Sequence, residues 1–259
     1  MTKGTILVIL SSEDRLPLQG GKTHATGFYL NEFGVPAHRL VQEGYTLAVT
    51  TPRGNRPPMD HGSDTKDFFA SEEQHQEIRS FVNGLLDQGV TRLAEAAAHL
   101  DDYSAVFLPG GHAPMIELMR DPDLKTVLTH FHERALPTAL ICHAPVALLA
   151  AQPQAAEFQA ALQRGETPTT QGFLYDGYRL TVFATDEEKD AEGTFEAPMQ
   201  YYPADALRAA GATVENGAKY SSHVIRDREL ITGQNPMSDE EFVGVFLKAL
   251  AEQEQTVSA

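Results

Sequence analysis

The only cysteine of the chain, Cys142, stands where a nucleophile is expected in an α/β protein. A short apolar run at 138–141 precedes it, and Pro145, which suits a first helical turn, follows it. Cys142 therefore lies on a sharp strand-to-helix bend, as in a nucleophile elbow. The helix start should lower the thiol pKa and favour the thiolate. A lone cysteine is otherwise a small buried apolar residue, but the bend and the adjacent His143 favour reactivity.

A second turn supplies candidate hydrogen-bond donors for this site. The apolar run at 105–108 ends in Pro109, Gly110, Gly111 and His112. Glycines let backbone N–H groups approach a ligand closely. The N–H groups of Gly111 and His143 could form an oxyanion hole beside the cysteine. Two glycines alone are more often a tight loop, and the nearby bend is what makes them a candidate.

Glu32 is the third candidate, because its neighbours are strongly apolar. Phe28, Tyr29, Leu30 and Phe33 surround it in the sequence. A carboxyl in such a setting is desolvated and holds its proton more tightly. That property suits a group that donates a hydrogen bond to a thiolate or moves a proton. The alternative interpretation is an exposed glutamate on a helix.

The elements that must position these residues follow an alternating pattern. Short, continuously apolar runs are typical of strands buried on both faces of a parallel sheet. Amphipathic stretches lie between them, and the alternation predicts an α/β fold with a doubly wound, mostly parallel sheet flanked by helices. The predicted strands are 5–10, 45–50, 105–108 and 138–141, and the predicted helices are 27–43, 75–98 and 122–134.

The remaining elements are less regular. Pro36 either kinks the first helix or opens a second one. Residues 52–70 form a long loop. The later elements are a helix at 144–163, a strand pair at 172–183 with Asp176-Gly177 at its turn, a helix near 198–210, a hairpin at 224–232, and a last helix from Ser238 or Asp239 to Glu252. We expect one domain over 1–259, with small added hairpins and a frayed tail at 253–259.

Composition limits the classes of partner. The 259 residues carry 36 acidic and 20 basic side chains, for a net charge of −16. Such a charge repels phosphate backbones and anionic lipid surfaces, which argues against nucleic acid and membrane partners. One cysteine excludes an internal disulfide and indicates a reducing cytoplasm. The N-terminal apolar stretch is too short for a signal peptide, and no run is long enough to span a membrane.

Taken together, these segments resemble the ThiJ/PfpI superfamily, which has the class I glutamine amidotransferase-like, flavodoxin-like fold. Within it, the chain is most similar to the branch of heat-shock chaperones with glyoxalase III (D-lactate dehydratase) activity. Glutamine amidotransferases themselves use a later His-x-Glu pair, whereas His223 is followed by Val224 and Ile225. The segments that carry the resemblance are 26–32, 108–113, 141–145 and 230–236.

The resemblance implies roles for the matching residues. Cys142 would be the nucleophile, His143 its triad partner, and Glu32 the acidic residue that touches the thiol. The triad acid is expected just after the strand that ends near residue 183, where spacing favours Glu188. The neighbouring acids that remain as alternatives are Asp186 and Glu187.

The glycine turn has an implied role as well. Gly110, Gly111 and His112, together with His143, would bind substrate and its oxyanion. The chain departs from the family at Ala113 and Ala144, where the family has glycine. Each alanine adds a methyl group near the sulfur, which puts the volume of the pocket in question.

The implied activity is conversion of methylglyoxal, or a related small dicarbonyl, to D-lactate or the matching hydroxy acid without glutathione. No cofactor would be needed, and we find no set of metal ligands among the ten histidines. Two alternatives remain: a deglycase, amidase or peptidase at the same cysteine, and a holdase chaperone or oxidative-stress sensor. The partners would be the small aldehyde, unfolded proteins in the chaperone case, and a second copy in a homodimer.

Overall fold

A seven-stranded sheet forms the centre of the structure. The computed structural model describes residues 2–257 of the chain. The strands of the described residues are β1 (Thr5–Ile9), β2 (Arg15–Pro17), β3 (Thr23–Ala25), β4 (Thr46–Thr51), β5 (Thr91–Arg92), β6 (Ala105–Leu108), β7 (Thr138–Ile141), β8 (Arg179–Leu180), β9 (Thr213–Val214), β10 (Val224–Asp227) and β11 (Leu230–Gly233). Of these eleven strands, β2 pairs with β3 and β8 with β9 outside the seven-stranded sheet.

The order across the sheet is β10-β11-β7-β6-β1-β4-β5, and only β10 runs antiparallel to its neighbour. Leu7 of β1 lies opposite Ala48 on one side and Val106 on the other. The chain leaves β1 first towards β4 and later towards β6, so the strand order reverses next to β1. Open α/β sheets bind ligands at the carboxyl ends of strands beside such a reversal.

Helices cover both faces of this sheet. They are α1 (Leu30–Gln42), α2 (Glu72–Asp87), α3 (Leu93–Ala97), α4 (Pro122–Glu133), α5 (Ala155–Gln163), α6 (Thr185–Ala191), α7 (Pro203–Ala210) and α8 (Asp239–Val257). Successive side chains of β1 point to opposite faces, as the period of a strand requires. Ile6 and Val8 pack with α1, α2 and α8, whereas Leu7 and Ile9 pack with α4, α5 and α7. The doubly wound, mostly parallel α/β fold is therefore confirmed.

Several boundaries differ from the prediction. Pro36 lies inside α1 without dividing it. The stretch predicted as one helix at 75–98 covers most of α2 and all of β5 and α3, because Gly89, at φ +120°, lies just beyond the end of α2. The stretch at 144–163 is a buried 3₁₀ helix, Ala144–Ala151, followed by α5. The last helix, predicted to end at about Glu252, continues to Val257, so the tail predicted as frayed is helical up to that residue; residues 258–259 lie outside the described part.

The predicted strand pair at 172–183 is also wrong. The turn at Asp176-Gly177 exists, but only β8 forms a strand there, and it pairs in parallel with β9. Tyr175 is fully buried and packs edge-on against Tyr178. Burial of these rings in the core takes the place of a ladder between two strands. The hairpin at 224–232 is confirmed as β10 and β11, and an antiparallel pair that we did not predict forms between β2 and β3.

Candidate active site

Cys142 lies on the bend directly after β7, with φ of +62°. A residue with a side chain is strained in this region by roughly 1 kcal/mol or more. Two backbone hydrogen bonds hold it there: the Cys142 N–H donates to the Gly233 carbonyl (2.8 Å), and the Cys142 carbonyl accepts from the Phe183 N–H (2.8 Å). The predicted nucleophile-elbow geometry is present, and it depends on segments distant in the sequence.

His143 and Glu188 extend from this thiol as a hydrogen-bonded chain. The Cys142 Sγ lies 3.1 Å from His143 Nδ1, and His143 Nε2 lies 2.7 Å from Glu188 Oε2. Phe183 stacks on the His143 ring at 4.5 Å and fixes its plane. Of the acids that the sequence left open, the structure brings Glu188 to His143. The arrangement can orient the imidazole so that Nδ1 receives the thiol proton.

His112 occupies the other oxygen of the same carboxylate. Its Nε2 lies 2.6 Å from Glu188 Oε1, and its ring centroid is 3.9 Å from that of His143. The sequence placed His112 in the substrate site by resemblance alone. The structure adds that it contacts the acid of the Cys142–His143–Glu188 chain.

Glu32 is fully buried in the first turn of α1, and its carboxyl interacts with the Cys142 thiol. Burial raises its pKa to about 8, although the Cys142 thiol and the Gly111 N–H act in the opposite direction. Neither carboxyl oxygen meets a donor within ordinary hydrogen-bond geometry in the described part of the chain. The desolvated setting predicted from its apolar neighbours is confirmed, and the carboxyl is protonated at neutral pH.

The glycine turn after β6 holds α1 close to the cysteine. The Tyr29 N–H donates to the Gly110 carbonyl (3.2 Å) at the start of α1. A Cβ on Gly110 would stand 2.3 Å from Glu32 Oε2 and 2.5 Å from the Cys142 Cβ. Gly111 has φ of +92°, and a Cβ there would meet the Gly27 carbonyl oxygen at 2.0 Å. Only glycine fits both positions, because backbone and reactive groups already fill the space.

The predicted lowering of the Cys142 pKa is wrong. Burial raises the pKa of this thiol well above its usual value, and Glu32 raises it further, whereas the Gly111 N–H acts weakly in the other direction. The helix that follows is a buried 3₁₀ segment, and its N-terminus does not outweigh the loss of hydration. The resting sulfur is a thiol that needs a base when it reacts.

The charges around Glu188 show which group can be that base. Burial, followed by the neighbouring His112, lowers the pKa of His143 to about 4. Although burial favours the protonated acid, the two imidazoles hold the pKa of Glu188 well below its usual range. Glu188 is thus an anion, and His143 is neutral. With its Nε2–H donating to Glu188, His143 presents the Nδ1 lone pair to the thiol.

The pKa of Glu32 predicts a pH dependence of stability. The folded carboxyl, at about 8 instead of 4.5, binds its proton more tightly than the unfolded chain does. The stabilisation that comes from this difference is complete below 4.5, the pKa in the unfolded chain. It is lost as the pH rises through about 8, the pKa in the folded protein. The free energy of unfolding should fall by up to roughly 4 kcal/mol across this window. Glu32→Gln should remove that fall, as urea unfolding at several pH values will show.

The exposed Glu133 provides a matched control for this experiment. Glu133→Gln makes the same chemical change where the carboxyl is hydrated in both states, so the wild-type profile should persist. If the free energy of unfolding fell equally with pH in Glu32→Gln and in the wild type, the carboxyl at position 32 would not be the buried group responsible.

A cavity of about 170 Å³ opens over the sulfur. Neither Ala113 nor Ala144 lines it, so among the described residues their added methyl groups do not narrow it. A larger cavity of about 480 Å³ adjoins it and shares Tyr29, His112 and Ala191. The smaller cavity is lined by Tyr29, Phe68, His112, Cys142, His143, Phe183, Glu187, Ala191, Tyr220, Asn235, Pro236 and Met237.

Glu187, one of the alternatives for the triad acid, has a different position. Its fully buried carboxylate accepts hydrogen bonds from the Ala184 N–H (3.0 Å), the Tyr220 N–H (2.7 Å), Gln234 Nε2 (3.1 Å) and Asn235 Nδ2 (2.8 Å). It ties the start of α6 to the loop at 217–222 and to the segment after β11. In the sequence, spacing favours Glu188 over Glu187 as the triad acid, but nothing there indicates this structural role of Glu187.

The ligand atoms of His112, His143 and Glu188 lie within 4.8 Å of one another and have residue types that bind metals. They already hydrogen-bond to each other. Our expectation of no metal here stays a prediction.

The fold and site define a class of α/β proteins with a buried cysteine at the carboxyl edge of a parallel sheet. Residues 23–156 match the DJ-1/PfpI family, and the chain belongs to that family. A protein of Staphylococcus aureus (strain JH9) called protein/nucleic acid deglycase HchA is 26% identical over 248 residues, covering 92% of this chain and 77% of the relative. Its namesake from Escherichia coli O157:H7 is 27% identical over 243 residues, with 91% and 77% covered.

Solved structures agree on the fold. Glyoxalase III from Candida albicans has a TM-score of 0.73 at 20% identity, with 95% of this chain and 97% of that chain covered. The Rapid Encystment Protein 24 kDa of Francisella tularensis has a TM-score of 0.73 at 20% identity, with 95% and 99% covered. At these identities the likeness shows the fold alone.

Two findings bear on partners. The name of the curated relatives includes nucleic acid, which does not agree with our exclusion of nucleic acids from net charge. Net charge opposes binding to a phosphate backbone but does not act on a small adduct that enters a cavity. In residues 2–257, no helix has both the length and the apolar character to cross a membrane.

Proposed function

We propose that this protein converts methylglyoxal, or a related small dicarbonyl, to D-lactate or the matching hydroxy acid without glutathione. The observation that carries the proposal is the neutral base His143, 3.1 Å from the Cys142 thiol and held by Glu188, with the protonated Glu32 beside the same sulfur. This set can remove one proton and supply another around a single small carbonyl compound.

The first step joins the sulfur to the aldehyde. The thiol proton of Cys142 passes to His143 Nδ1 as the S–C bond forms. The π electrons of the C=O bond move to its oxygen, which the N–H groups of Gly111 and His143 stabilise. This oxygen then takes a proton from Glu32 or from His143, which leaves that residue as a free base, and the product is a hemithioacetal on Cys142.

The second step moves hydrogen between the two carbons. Whichever of Glu32 and His143 gave up its proton now removes the proton from the carbon bonded to sulfur, and the electron pair of that C–H bond forms the C=C bond. The ketone oxygen takes a proton from the other residue, which gives an enediol. Glu32 or His143 then returns a proton to the neighbouring carbon. The hydroxyl on the carbon bonded to sulfur loses its proton to the same pair of residues, and that carbon becomes the carbonyl of a thioester. A carboxyl whose pKa is about 8 can donate and accept protons near neutral pH.

Water completes the reaction by attacking the thioester carbonyl. The C–S bond breaks, the hydroxy acid leaves, and the thiol regains its proton. The net change is the addition of water, because one carbon is oxidised while its neighbour is reduced. No external electron acceptor is required.

The test is D-lactate formation from methylglyoxal in buffer without glutathione. We expect turnover by the wild type and a loss of at least about a hundredfold in Glu32→Gln, which cannot exchange a proton. The Glu133→Gln variant should keep wild-type turnover. Absence of D-lactate with correctly folded wild type would contradict the proposal.

A second candidate is hydrolysis of an amine adduct of the dicarbonyl at the same cysteine. Two observations favour it: the curated relatives are called deglycases, and the larger cavity of about 480 Å³ adjoins the sulfur site. A glycated amino acid amide is the substrate that separates the two. The adduct also dissociates spontaneously to free amine and free dicarbonyl. Enzymatic release of amine faster than this spontaneous dissociation would favour the deglycase.

A further inference from the structure

Two histidines share one buried carboxylate in this site. His143 Nε2 contacts Glu188 Oε2 at 2.7 Å, and His112 Nε2 contacts Oε1 at 2.6 Å. The Glu188 side chain is fully buried. With the rings only 3.9 Å apart, a second positive charge would be strongly disfavoured. Only one of the two imidazole rings can therefore be protonated to the imidazolium at a time.

The surroundings of the two rings differ. His143 is 2% exposed, lies under the ring of Phe183 and faces a neutral thiol. His112 is 8% exposed and borders the larger cavity, which the Asp60 carboxylate also lines. A charge is therefore better solvated on His112. The titratable groups that face the pair are His24, Glu32, Asp60, Cys142 and Glu188.

We propose that His112 is a positioning residue: it takes one oxygen of Glu188 together with the shared proton, and so leaves His143 as the neutral base for Cys142. This inference deepens the proposed function, since it concerns the same cysteine. Opposite shifts of the two rings agree with it. Burial acts to lower the pKa of His112, but the carboxylates of Glu188 and Asp60 more than offset this and raise it, whereas burial and the neighbouring His112 lower the pKa of His143.

The consequence concerns the thiol. In the wild type, the charge on His112 disfavours a His143 imidazolium, so the sulfur stays protonated until a substrate is present. Without that charge, Glu188 would act on His143 alone and raise its proton affinity. The proton would then pass from sulfur to His143 more readily, and more thiolate would be present at rest.

His112→Gln tests this, because the amide can still donate to Glu188 but carries no charge. We expect the NMR titration of the His143 ring to move upward by about one to two units. Alkylation of Cys142 by iodoacetamide at mildly acidic pH should become about tenfold faster or more. An unchanged titration and alkylation rate in folded His112→Gln would overturn the inference.

Further measurements keep the test decisive. His130→Gln, on α4, serves as the matched histidine control and should change neither readout. If His112→Gln does not fold, the ring nitrogen shifts of wild-type protein decide: a neutral His112 beside a charged His143 overturns the inference. Neither readout needs turnover, so failure of the proposed reaction would be seen separately.

Discussion

Replacing Cys142 with alanine is expected to lower D-lactate formation by at least about a thousandfold. The variant keeps the shape of the cavity and removes only the atom that bonds to the aldehyde carbon. Alanine and cysteine are strained alike at φ of +62°, so the bend should persist. D-lactate assays and thermal unfolding of the two proteins, run side by side, measure activity and fold separately.

Cys142→Ser sharpens this experiment. Serine keeps a hydrogen-bonding group beside His143, but its hydroxyl is a far weaker acid and nucleophile than a thiol. We expect it to be as inactive as Cys142→Ala. Turnover near the wild-type rate in either folded variant would exclude the covalent mechanism.

Replacing Glu187 with alanine should have the largest effect on stability. Its carboxylate accepts four hydrogen bonds from three separate segments. Each donor left unpaired in a buried place costs roughly 1–3 kcal/mol, and water entering beside the exposed Tyr220 will offset part of this. We expect a loss of about 3–5 kcal/mol in the free energy of unfolding. Urea unfolding at neutral pH measures it.

The adjacent Asp186 is the matched control, because its side chain is exposed and accepts one hydrogen bond, from the Glu187 N–H. Asp186→Ala should cost at most about 1 kcal/mol. Comparable losses for both variants would show that the carboxylate of Glu187 does not hold these segments together. Turnover of Glu187→Ala should also fall, since Glu188 follows directly and shares its helical turn.

Much of this site could be predicted because it depends on neighbouring residues. The apolar run before Cys142 and the proline after it predicted the bend, although hydrogen bonds to the backbone of Gly233 and Phe183 hold it in its strained conformation. The apolar residues around Glu32 indicated a desolvated carboxyl but left an exposed glutamate as the alternative, and its burial in the folded chain decides between the two. The parallel sheet followed from continuous apolar runs, which only a strand covered on both faces requires.

Other features depend on residues that meet only in the folded chain. The spacing favoured Glu188 but left Asp186 and Glu187 open, because the carbonyl of Cys142 and three separate segments decide which carboxyl turns towards His143 and which turns away. The direction predicted for the thiol pKa was wrong, since the helix start is visible in the sequence but the burial of the sulfur is not. The local order of residue types thus determined where the bend and the strands of the sheet lie. Desolvation and the contacts of Glu187, Glu188 and His112 were decided by the tertiary structure, because burial and charge act through space.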